Sequence, residues 1–260
     1  MTTHPTPKNS SADQRGFTLI ELLVVIAIIG LLVSITIPIY RVVNEGTNSA
    51  RSLANLKNIG STISIYASEN NNQLPLVEGF DPLDWTNVTI DLQEEELEKL
   101  PYWTKQLMYL GSKSGSDLGR GVFTCPGLRW KDESGKKYDP DDILLAYGVT
   151  EAMSGFDEDD ELVPTLPRAV ASIENKPNTI LVLETKQDGT GPTSYSQVTW
   201  KEAMVDFDSK KASESKLVDF RFKKGVNCLM ADYSGRSIRL KNGSDVEEPN
   251  WTGYDYESIE

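Results

Sequence analysis

Phe17 and Glu21, one helical turn apart, are the pair of residues in this chain whose placement implies chemistry. Glu21 lies inside an apolar run from Phe17 to Ile37 whose other polar side chains are Thr18, Ser34 and Thr36. An acid at the centre of a bilayer costs about 2.5–3.5 kcal/mol on insertion scales, so one retained in such a run implies a function and a partner. The nearest candidate partner is an amine. Cutting the chain after Gly16 would make Phe17 a new N-terminus four residues from Glu21, and the same amine could meet Glu21 of a neighbouring copy. The chemistry implied is proteolysis followed by charge pairing within an apolar phase.

The element that must position this pair is a helix. Twenty-odd apolar residues rising about 1.5 Å each span a hydrocarbon core about 30 Å thick. An ordinary secretory signal would end in a small-x-small cleavage site, and Ser34-Ile35-Thr36 is a poor one. A plain signal anchor accounts for the span but leaves the Gly-Phe-x-x-x-Glu spacing to chance. Beyond Pro38, Ile39, Val42, Val43, Ala50, Leu53, Leu56, Ile59, Ile63 and Tyr66 recur at three- and four-residue steps. The helix is predicted to continue to Asn70-Asn71-Asn72 with a bend near the proline, as a rod of about 80 Å.

These residues resemble the N-terminal signal of type IV pilins and of type II secretion pseudopilins. Gly16, Phe17 and Glu21 stand at the family's cleavage, methylation and assembly positions, and Pro38 falls where pilin helices carry a proline. The resemblance implies cleavage between Gly16 and Phe17 by a prepilin peptidase, N-methylation of Phe17, and assembly guided by Glu21. It implies a pilin-like α+β fold, with a long N-terminal helix packed on an antiparallel β-sheet. The expected divisions are a leader over 1–16, a helix over 17–72 with its transmembrane part at 17–37, and a periplasmic head over 73–260. The implied partners are other pilin or pseudopilin subunits, an inner-membrane assembly platform and membrane lipid. The head also resembles a large-headed subgroup of pilin-like proteins from planctomycete- and verrucomicrobia-type bacteria, through Thr124-Cys125-Pro126 and Asn227-Cys228-Leu229-Met230-Ala231-Asp232. It departs from that pattern at Tyr233, where glycine is usual, and at Phe222, where a histidine would stand.

Charge and composition narrow the functions. The net charge is −13, and removing Lys8, Arg15 and Asp13 with the leader leaves −14. A nucleic-acid surface needs a basic stripe, so no nucleic-acid partner is expected. Two positives ahead of the span fit a cytoplasmic N-terminus with the acidic domain outside. The single histidine, His4, lies in the leader, which removes imidazole from the mature chain as general base or zinc ligand. Cys125 and Cys228 would face an oxidising compartment, where they are either a disulfide or two unpaired buried residues.

In the head, Asp91-Leu92-Gln93-Glu94 reads as a capping box for a short acidic helix that Pro101 stops. Trp103, Leu107 and Leu110 are spaced for a second helix ending at Gly111. Val122 to Cys125, Ile143 to Val149, Ile180 to Glu184 and Gln197 to Trp200 are strand-like. Val226 to Ala231 and Ser237 to Leu240 lie either side of Asp232-Tyr233-Ser234-Gly235 and predict an antiparallel hairpin. Asp157, Asp159 and Asp160 could offer oxygens to calcium, but they lack the alternating spacing and glycine of an EF-hand loop, so no cofactor is expected. No phosphate loop, nucleophile elbow or Cys-x-x-Cys pair is present. The expectation is a non-enzymatic structural subunit of a type II secretion or type IV pilus-type fibre. The alternative is a periplasmic or surface binding or enzymatic domain that uses the signal as an anchor.

Overall fold

A computed structural model describes residues 19–79, 92, 94–114, 120–125, 128, 130–131, 134–138, 145–156, 162–176, 178–187, 197–198, 217–222 and 225–239. The first element, α1 (Leu19–Glu69), is one uninterrupted helix of 51 residues with Pro38 inside it. By contacts the chain divides into two units, Met1–Asn44 and Glu45–Glu260, so the second half of α1 belongs with the head. α1 ends at Asn71 and Asn72, both left-handed with φ of 55° and 58°, and Asn72 N–H closes onto Ala67 O at 2.8 Å. Asparagine tolerates that conformation better than other side chains, which is why the triple-Asn stretch ends the helix.

Among the described residues, three shorter α-helices follow: α2 (Glu94–Glu98), α3 (Tyr102–Ser114) and α4 (Arg120–Phe123). Asp91 and Gln93 of the expected capping box lie outside the described residues. Gly111 does not stop α3, which runs three residues further. The Val122–Cys125 strand is not formed. Val122 and Phe123 fall in the single turn of α4 instead, and Phe123 packs edge-on against Trp103 with ring centroids 5.8 Å apart. Burial of that ring in the core overrides the strand preference of a Val-Phe-Thr run.

The strands among the described residues are β1 (Tyr147–Thr150), β2 (Ser154–Phe156), β3 (Leu162–Pro167), β4 (Ile180–Glu184), β5 (Gln197–Val198), β6 (Gly225–Met230) and β7 (Gly235–Arg239). Five form a sheet in the order β5-β1-β4-β6-β7, antiparallel throughout except for the β1–β5 pair. The expected long helix and antiparallel sheet are both present, and the class is α+β. β2 and β3 form a separate antiparallel hairpin that the sequence reading did not anticipate.

Side chains alternate across a strand, so the register assigns each residue to a face. Tyr147 lies opposite Glu184, Val149 opposite Val182, and Val182 opposite Leu229. These residues share a face with Asn227, and that face receives α1. Leu183 and Cys228 pair on the other face, which is also buried. From α1 the stripe Ser52, Leu56, Ile59, Ile63 and Ala67 is buried, at steps of four, three, four and four. Burying Leu56, Ile59 and Ile63 contributes roughly 1.5–3 kcal/mol each, as an upper estimate. Gly60 lets the helix approach closely: a Cβ there would lie 2.7 Å from Leu229 Cδ1.

Candidate functional site

Two regions gather polar groups in apolar surroundings. The first is the start of α1. Gly16 and Phe17 lie outside the described residues, and Glu21 sits in the first turn of the helix. Every large apolar side chain from Leu19 to Val43 is between 47% and 81% exposed, so this half of the helix buries none of them within its own chain. By length and composition the helix can cross a membrane. Ser34 Oγ donates to Leu31 O at 2.7 Å and Thr36 Oγ1 to Leu32 O at 2.8 Å. Both hydroxyls are thus satisfied by their own helix, as hydroxyls in lipid must be. Glu21 is the ionisable side chain of the span.

The second region lies inside the head and was not singled out from sequence. Glu184, the last residue of β4, is fully buried, and donors from several elements converge on its carboxylate. Asn227 N–H reaches Oε2 at 3.0 Å, and Asn227 Nδ2 reaches Oε1 at 3.3 Å. Cys125 Sγ donates to Oε1 at 3.3 Å, and Ser52 of α1 donates its hydroxyl to the same oxygen. Tyr147 OH lies 3.1 Å from Ser52 Oγ. Asn227 Nδ2 also reaches Ser49 O at 3.2 Å, tying a second residue of α1 to β6. The one signal in the sequence was an acid closing an otherwise aliphatic strand, Ile-Leu-Val-Leu-Glu.

Electrostatics separate the groups. Burial pushes the Glu184 carboxyl above its ordinary value, opposed by the Arg221 charge and by the Asn227, Ser52 and Cys125 hydrogen bonds. Burial likewise pushes the Cys125 thiol up to about 12 and Tyr147 well above the phenol range. Burial opposes the charge on Arg221, yet Asp219, then Cys125 and Glu184, hold it above its ordinary value. Arg221 Nη2 bonds Asp219 Oδ2 at 2.7 Å and Thr185 O at 3.1 Å. A buried acid with several donors and a nearby guanidinium is the arrangement that lets a charge persist out of water. With the carboxylate oxygens already occupied, it binds its own fold rather than a substrate.

The pairing considered for Cys125 and Cys228 is not made. Both are free and buried. Cys125 bonds Glu184 on the helix side of the sheet, whereas Cys228 points to the opposite side, so the sheet separates them. Asp157, Asp159 and Asp160 lie outside the described residues. At the β6–β7 turn, Asp232 Oδ1 accepts from Ser234 N–H at 2.9 Å and Asp232 Oδ2 meets Arg236 Nη2 at 2.9 Å, a turn-forming role. Tyr233, at the position where the expected pattern carries glycine, has φ 58°. That is the backbone conformation for which glycine is the usual choice.

The family described as "Prokaryotic N-terminal methylation motif" matches residues 11–37. That range contains Gly16, Phe17 and Glu21 and ends where the apolar run ends. Neither a curated protein nor a solved structure matches the chain significantly. The motif supports a pilin-like protein processed by a prepilin peptidase and assembled with other pilin subunits, and together with the apolar helix it points to a single-pass membrane anchor.

Proposed function

We propose that this pilin-like chain is a structural subunit of a type II secretion-like fibre, with no enzymatic activity of its own. The observation that carries the proposal is the methylation motif at 11–37 on a helix whose apolar side chains are exposed from Leu19 to Val43. Such a surface needs lipid first and neighbouring helices afterwards. The N-terminus starts on the cytoplasmic side and the head on the periplasmic side. A prepilin peptidase removes residues 1–16, Phe17 is methylated, and the subunit enters the inner-membrane assembly platform. Apolar helices then leave lipid and pack on one another. Glu21 is neutralised by the Phe17 amine of a neighbour, which sets the axial stagger between copies.

Mass spectrometry of the N-terminus of the native protein tests the processing step: the expected first residue is Phe17 carrying one added methyl group. Recovery of the chain with residues 1–16 attached, in cells with active peptidase, overturns the proposal. A type II secretion role, as opposed to a type IV pilus, is supported by the size of the head and by its likeness to the large-headed subgroup. Neighbouring genes for a secretion ATPase and an outer-membrane secretin are expected; a retraction ATPase in their place would favour the pilus.

A further inference from the structure

The docked part of α1 is held differently at its two ends. At the C-terminal end the chain itself is the tie. Val170 N–H donates to Asn72 O at 2.8 Å, Leu74 N–H donates to Arg168 O at 2.8 Å, and Gln73 bridges to Ala169. In the middle, Leu56, Ile59 and Ile63 are buried against the sheet. At the N-terminal end Ser52 is the first buried residue of the helix, and residues 45–51 before it are half-buried or exposed. Among the described residues, hydrogen bonds join helix to sheet there: Ser52 Oγ to Glu184, and Asn227 Nδ2 to both the carbonyl and the hydroxyl of Ser49.

Apolar contact is non-directional, and a helix can lift from it one turn at a time. Hydrogen bonds to a carboxylate are directional and about twice as strong as neutral ones. The geometry points to a latch: Glu184 and Asn227 grip Ser52 and Ser49, and this grip keeps the first docked turns of α1 from peeling off the sheet. A carboxylate suits the task because its two oxygens accept from several elements together, which a single hydroxyl or amide cannot do. Glu184 is thus a positioning residue for the helix, holding its first buried residue. The inference concerns the head alone and stands independently of which fibre the chain builds.

The test uses the full chain in detergent micelles, with nitroxide labels at exposed positions and distances read by pulsed electron resonance. One pair, Arg51 with Ser237, reports the start of the docked segment; a second, Ile65 with Ser237, reports its far part. With the native latch, each pair is expected to give a single narrow distance. Ser52→Ala with Asn227→Ala removes the hydroxyl from Glu184 and the amide from both Ser49 O and Ser49 Oγ, and is expected to enrich a longer Arg51–Ser237 population about tenfold. The Ile65–Ser237 distance should stay unchanged. Glu184→Gln, which presents an NH₂ group in place of one acceptor oxygen, is expected to move the same pair in the same direction. An unchanged Arg51–Ser237 distribution in the Ser52→Ala, Asn227→Ala variant overturns the latch. So does broadening of both pairs together, because that reports general loosening rather than peeling from one end.

Discussion

Glu184 is an acid that folding takes out of water, and its titration should register in stability. Its folded pKa is raised, chiefly by burial, so the folded state binds its proton more tightly than the unfolded chain does. Stability from this group therefore falls as pH rises from the ordinary carboxylate range through the raised value, and is level above it. Urea unfolding midpoints measured across roughly pH 4 to 8 should show that decline in the native sequence, and Glu184→Gln should lack it. The thiols give a second check at the same scale. Both cysteines are free and buried, and burial pushes Cys125 up to about 12, so almost no reactive thiolate exists at neutral pH. Alkylation of the native protein should label neither, whereas denaturant should expose both. Rapid labelling of Cys125 without denaturant would contradict the buried cluster.

At the scale of elements, two glycines of α1 should respond oppositely to the same change. A Cβ at Gly46 meets nothing within 4 Å, so Gly46→Ala should stabilise by about 0.5–1 kcal/mol through helix propensity. At Gly60 the same gain is opposed by contact with fully buried Leu229, and overpacking costs about 1–3 kcal/mol. Gly60→Ala should therefore be neutral to destabilising by up to about 2 kcal/mol, with thermal unfolding as the measurement. The elements legible from sequence were those with sustained periodicity: α1, β4 and the β6–β7 hairpin, where a face of three or more residues repeats. Val122-Phe123 misled because its strand-forming residues belong to one turn of helix whose position is set by Trp103. The β2–β3 hairpin was hidden by Gly155, Pro164 and Pro167, which read as turn residues. Gly155 is required there, since a Cβ would lie 2.7 Å from Pro167 O and 2.8 Å from Leu166 O. The buried cluster was illegible for a different reason. Ser49, Ser52, Tyr147, Glu184 and Asn227 are scattered over four elements, and only the register of the sheet brings them together. The processing motif was legible because its residues are adjacent in the chain.

For the molecule as a whole, the distribution of exposed apolar surface decides behaviour. Among the described residues beyond Val43, the large apolar side chain that is exposed is Ile65, at 40%. A chain starting at Glu45 should accordingly be soluble without detergent and unfold cooperatively, as circular dichroism and gel filtration would show. Aggregation of that fragment would mean that the head needs the preceding half of α1. Glu21→Ala should leave membrane insertion and N-terminal processing intact but reduce incorporation into fibres, read by comparing membrane and sheared-fibre fractions. Normal incorporation would remove the charge-pairing mechanism. The confinement of grease to one end also bears on the fate of the protein. A protease nick in the exposed stretch just after Asn44 would part the head from the apolar half of the helix, and since a cut peptide bond does not re-form unaided, that loss would be permanent.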